Sequence, residues 1–179
     1  MKLLWLCNIA PAVVQEKLSG KAAGGLWLDH VAEDICRSGI TLRILCPGEG
    51  TQGTVDEMCT FATFREGLPE VYLPELEQQF AGELESFRPD VIHVWGTEYG
   101  HTLAMVNAAE RLGLLTRLVI NIQGMCSVIA RHYNEGVPYA QQRRSSFRDF
   151  VRRNNLLQQQ KSFACRGELE IRALSKACH

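Results

Sequence analysis

With 179 residues, 46% of them hydrophobic, the chain is long enough to bury one core and falls within the usual size of a single domain. A formal net charge of -1 excludes any overall electrostatic pull toward nucleic acid or anionic lipid. The balance is uneven, however: residues 1 to 140 carry 10 Lys/Arg against 17 Asp/Glu, while residues 141 to 179 carry 9 against 3, so the C-terminal segment is basic.

Seven cysteines, an odd number without a CxxC pair or regular spacing, argue against a disulfide framework or a zinc site and fit a reducing, cytoplasmic setting. Residues 1–7 imitate the start of a signal peptide, but Asn8 interrupts the apolar run too early, and a first buried strand accounts for the same residues. No stretch reaches the length of a membrane-spanning helix.

Leu3 to Cys7 is an apolar run of buried-strand type, and Leu28, Val31, Ala32, Ile35 and Cys36 mark one face of a helix closed by Gly39. Thr41 to Cys46 then forms a second strand that stops at Pro47, and a strand, helix, strand crossover of this length requires parallel pairing. A second helix begins at Pro74, with Leu76, Phe80, Leu84 and Phe87 on one face, and Arg88-Pro89-Asp90 ends it before the strand Val91 to Trp95. A third helix spans Gly100 to Leu112, and Leu118 to Ile122 has the β-branched composition of a central parallel strand. Thr54 to Phe64 alternates as an additional strand, and the remainder reads as helical from Arg143 to Cys178. The fold class is therefore α/β, a Rossmann-like parallel sheet with helices on both faces.

Two glycine clusters bear on function. Gly24-Gly25 stands at the N-terminus of the first helix, where backbone amides and the helix dipole cradle a phosphate; the competing reading is a loop whose glycines only ease a turn. Gly48 to Gly53 spells a literal GxGxxG after a strand, but the helix that a dinucleotide fingerprint must open is missing, so the segment reads as a loop. In open α/β sheets ligands bind outside the carboxyl ends of the strands, which brings Thr97, Glu98, Gln123 and Gly124 forward as binding residues. His93 lies within a strand among apolar neighbours and reads as a core histidine rather than a catalytic one.

Pro89-Asp90-Val91-Ile92-His93, the Gly24-Gly25 opening and the Gly39-Ile40-Thr41-Leu42 step into the second strand together resemble the N-terminal domain of family 4 glycosyltransferases, retaining enzymes of the GT-B fold. The resemblance runs over essentially the whole chain. It implies the acceptor-side half of an enzyme that moves a sugar from a nucleotide-diphosphate donor to a glycan or glycolipid hydroxyl, without metal or other cofactor. The C-terminal nucleotide-sugar domain is then absent from these 179 residues, and the fragment alone is expected to be inactive.

On this resemblance Gly24 and Gly25 match the glycines that contact the donor diphosphate. Thr97, Glu98, Gln123 and Gly124 are assigned to acceptor or sugar hydroxyls, with no catalytic residue in this half. Many members carry a histidine where this chain has Gln123, and a glutamine hydrogen-bonds sugars but supplies no acid or base near neutrality. Glu75 with Glu83 and Glu77 with Glu85 reproduce the family's glutamate spacing, but on the helix after Pro74, where they read as solvated positions.

Two alternatives stand beside this reading: a non-catalytic subunit binding a nucleotide or sugar phosphate, and an NAD(P)-dependent oxidoreductase domain. The basic segment, with Arg143, Arg144, Arg148, Arg152, Arg153 and Lys161, suggests either peripheral membrane contact through residues 143–161 or a solvated helix face with Phe147 and Phe150 packed on the sheet. The second is the simpler expectation.

Overall fold

Six strands form one sheet in the order β3-β4-β2-β1-β5-β6 in the computed structural model, which describes residues 1–20, 27–152 and 154–177. The strands are β1 (Lys2–Cys7), β2 (Thr41–Pro47), β3 (Gln52–Thr54), β4 (Cys59–Phe64), β5 (Val91–Trp95) and β6 (Leu118–Asn121). All pairings are parallel except that of the short β3 with β4. The helices are α1 (Ala12–Ser19), α2 (Trp27–Arg37), α3 (Pro74–Phe87), α4 (Gly100–Arg111), α5 (Cys126–His132), α6 (Tyr139–Gln142), α7 (Phe147–Arg152) and α8 (Leu156–Ala177). The Rossmann-like α/β architecture is thus as expected, except that the one additional strand expected over Thr54 to Phe64 is two, β3 and β4, paired antiparallel.

The period-two alternation of the strands divides the core between two faces. Leu4 and Leu6 of β1, Leu45 of β2 and Val94 of β5 pack with Phe80 and Leu84 of α3 and Met105 and Ala108 of α4. On the other face Trp5, Cys7, Ile44, Phe61 and Trp95 pack with Val14 of α1 and with Leu28 and Ala32 of α2. Helix α8 adds a third contact, Leu169 and Ala173 against Leu103 and Val106 of α4.

Three expectations need correction. The segment Leu118 to Ile122 is not central: β6 is an edge strand with alternate residues exposed, Val119 by 51%. β-branched composition reports a pleated backbone but not how many neighbours flank it. Gly48 to Gly53 opens no helix, as expected, though its last two residues begin β3, and its glycines serve packing: a Cβ at Gly48 would lie 2.7 Å from Thr63 Cβ, and one at Gly53 would lie 2.8 Å from the Phe61 ring. Glu83 is not solvated, because Arg43 Nε and Nη2 donate to its two oxygens at 3.0 and 3.1 Å.

The third correction concerns the basic segment, where the uninterrupted helix resolves into separate pieces. At α7, Asp149 N donates to Ser146 Oγ and Ser146 N to Asp149 Oδ2; at α8, Gln158 N donates to Asn155 Oδ1 and Asn155 N to Gln158 Oε1. These reciprocal capping boxes each start a new helix. Phe147 and Phe150 do not pack on the sheet; they are 84% and 76% exposed.

Candidate functional site

Chain order along the sheet reverses between β1 and β5, because β2 and β4 lie to one side of β1 and β5 and β6 to the other. A crevice at such a switch point, outside the carboxyl ends of the strands, is the geometric site for a ligand. It is present here as a cavity of about 240 Å³ lined by Asn8, Trp95, Glu98, Tyr99, Gln123 and Arg166, with Ile9 and Leu28 at its apolar margin.

Glu98 is the most precisely placed of these groups. Asn8, the first residue after β1, donates from Nδ2 to Glu98 Oε2 at 2.9 Å. Its carbonyl Oδ1 then faces His101 Nε2 at 2.9 Å, so that nitrogen carries the proton and donates. The other ring nitrogen, Nδ1, lies 3.4 Å from Glu66 Oε1. His101 is 3% exposed and its ring is stacked on Tyr99, with an interplanar angle of 8°. A chain of polar contacts thus runs from Glu66 through the buried imidazole and Asn8 to the carboxylate that enters the cavity. Asn8 is the part that sets the direction of the donors.

Gly96 makes this arrangement possible. It holds φ at +101°, and a Cβ there would run into Asn8 Nδ2 and Glu98 Oε2, so only glycine lets the two side chains meet over the strand end. Gly96 O also accepts from Thr102 Oγ1 at 3.0 Å, which ties the turn to the first turn of α4.

Arg166 comes from α8, far along the chain. Its Nε donates to the backbone carbonyl of Glu98 at 2.6 Å, and its guanidinium lies 5.3 Å from the Tyr99 ring centroid and 4.9 Å from that of Phe163. One hydrogen bond and two ring contacts thus fix the orientation of the guanidinium at the cavity wall. Burial pushes the Tyr99 hydroxyl up from its ordinary value, with Glu66 adding to the effect, so the phenol remains a neutral donor and acceptor.

The sequence-derived residues divide. Glu98 and Gln123 line the cavity; Gly124 sits beside it, where a Cβ would be 3.8 Å from Glu98 Oε1. Thr97 does not line it. It is 1% exposed and donates from Oγ1 to Glu170 Oε2 at 2.8 Å, and that carboxylate, itself 1% exposed, also accepts from Cys126 N, Ser127 N and Ser127 Oγ. Glu170 therefore caps the N-terminus of α5 from α8, and Thr97 belongs to this buried clasp. Gly24 and Gly25 lie outside the described residues. Sequence reasoning missed Asn8 and Arg166. Asn8 obeys the same strand-end rule that found Glu98, while no local signal marks Arg166.

His93 is half-buried against Trp95, with ring centroids 3.9 Å apart, and burial lowers its pKa from the ordinary value. It packs on the α1/α2 face and does not line the cavity. Among the described residues no cluster of His, Cys, Asp and Glu has the makings of a metal site, the six described cysteines are free thiols, and no helix is long and apolar enough to cross a membrane. No family model, no curated protein and no solved structure matches the chain.

Proposed function

We propose that the switch-point cavity binds a sugar, and that the chain is the acceptor-side half of a retaining glycosyltransferase transferring from a nucleotide-diphosphate donor to a glycan or glycolipid hydroxyl. The observation that carries the reading is the convergence of Glu98, Gln123 and Arg166 on one small cavity beside the Trp95 ring. Sugar hydroxyls both donate and accept: the carboxylate takes hydroxyl protons, the guanidinium gives hydrogen bonds, and the carboxamide does either. The C–H faces of a pyranose suit an aromatic and aliphatic wall.

Under this reading the cavity positions an acceptor hydroxyl or the transferred sugar, which lowers the entropic cost of the reaction without supplying an acid or base in this half. Gly24 and Gly25 would contact the donor diphosphate, and a second domain would hold the nucleotide. The resemblance described above supplies the reaction class; the cavity supplies a place of the right chemistry.

Titration calorimetry of the 179-residue chain against short glycans, UDP-sugars and GDP-sugars tests it. Glycan binding that falls at least tenfold in Glu98→Ala and in Arg166→Ala, with no nucleotide binding, is the expected result. Tight nucleotide binding by this chain alone, or glycan binding indifferent to both substitutions, overturns the assignment.

A further inference from the structure

Helix α7 points its apolar side away from the protein. Phe147, Phe150 and Val151 stand at i, i+3 and i+4, the spacing of one helical face, yet they are 84%, 76% and 65% exposed. An amphipathic helix ordinarily turns such a stripe to the core. Here the helix is nonetheless built deliberately, since the Ser146–Asp149 capping box satisfies donors at its first turn.

The charges around the stripe are predominantly positive. Arg143, Arg144 and Arg148 are exposed, and the single acid of the segment, Asp149, is held by Ser146, whose hydrogen bonds keep its carboxyl below the ordinary range. Just before them Tyr139 is 65% exposed, with the Arg143 guanidinium 5.8 Å from its ring centroid. Aromatic side chains interleaved with arginines on a short helix match the boundary between anionic headgroups and acyl chains, where each partner meets its own environment within a few ångströms.

We infer that α7, with the flanking arginines, docks this protein on an anionic lipid bilayer. Charge and area both favour a bilayer over a second copy of the chain. Two such faces brought together would oppose arginine to arginine, and a six-residue helix with three apolar side chains falls far short of the roughly 1,200 Å² that a stable protein interface buries. A bilayer needs only shallow insertion of a few side chains plus Coulombic attraction. The inference stands on exposure and charge alone and is independent of what the cavity binds.

Vesicle flotation of the whole chain tests it, with phosphatidylcholine vesicles and with phosphatidylcholine vesicles containing phosphatidylglycerol. Binding to the anionic vesicles only, weakening as salt is raised, is expected. Arg144→Glu with Arg148→Glu, and separately Phe147→Ser with Phe150→Ser, should each lower binding on the order of tenfold or more. Because these side chains are exposed, circular dichroism and the melting temperature should be unchanged in both variants, which separates lost docking from lost folding. A Phe150→Trp variant should show a blue-shifted emission on anionic vesicles. No binding by the parent chain at low salt, or equal binding by the Phe147→Ser/Phe150→Ser variant, overturns the inference. So does a patch-dependent dimer in sedimentation equilibrium, or single-stranded nucleic acid bound more tightly than vesicles.

Discussion

Replacing Glu170 with alanine removes an acceptor from four donors at once: Thr97 Oγ1 at 2.8 Å, Cys126 N at 3.0 Å, Ser127 N at 3.2 Å and Ser127 Oγ at 2.8 Å. The two backbone amides open α5, and losing a helix cap costs about 1 to 2 kcal/mol. The Thr97 hydroxyl, 1% exposed, is left without its carboxylate partner, which adds about 1 to 3 kcal/mol. The sum, about 2 to 5 kcal/mol, overlaps the roughly 3 to 5 kcal/mol that breaking a buried charged contact usually costs and is a large part of a typical domain's stability.

Urea unfolding followed by circular dichroism should therefore show a much lower midpoint in Glu170→Ala with an unchanged slope. Glu170→Gln keeps the shape but turns an amide toward donors, and should lose about half as much. Since Thr97→Val removes one of the same hydrogen bonds, the double variant should fall short of additivity by about 1 kcal/mol. A loss below about 1 kcal/mol in Glu170→Ala would refute the reasoning, because the desolvation of the carboxylate would then cancel everything it accepts.

Gly96→Ala should cost about 1 to 3 kcal/mol from the left-handed φ of +101° and displace Asn8 from Glu98, so that glycan affinity measured by calorimetry drops more than thermal stability alone explains. Arg166→Lys keeps the charge but loses the Nε bond to Glu98 O and the ring sandwich; glycan affinity should fall as far as in Arg166→Ala, and retention of affinity would show that charge alone matters. Folding withholds from His93 a proton that the unfolded chain takes up, since burial lowers its pKa from 6.5. Its contribution is therefore intact above pH 6.5 and declines as pH falls below that value, and His93→Gln should flatten this part of the urea midpoint profile.

Much of the sheet was legible because each long strand is a short apolar run bounded by a breaker, as Pro47 bounds β2 and Gly96 bounds β5. Lateral position was not legible: nothing in Leu118 to Asn121 tells whether one neighbour or two will pair with it. Helix α1 escaped notice because its eight residues bury only Ala12 and Val14, too short a pattern to stand out from a loop. The same limit governs the site. Residues at strand ends identify the crevice, but whether a side chain enters it depends on partners elsewhere. Thr97 turns inward because Glu170 waits 73 positions later, and Arg166 reaches Glu98 across 68. Contacts of that range are properties of packing between helix α8 and the sheet, and no local spacing encodes them.

The two margins of the sheet differ in kind. On one side three residues of β3 run against the direction of their neighbour and end the array in a strand too brief to seed another. On the other, β6 pairs among the described residues only with β5, and Val119 beside it is half uncovered. A strand that lengthens the array therefore meets a longer partner at β6 than at β3. Any strand that joins it, and any misassembly between partly unfolded copies, is steered to the β6 margin, where a charged residue in place of Val119 would act as a gatekeeper.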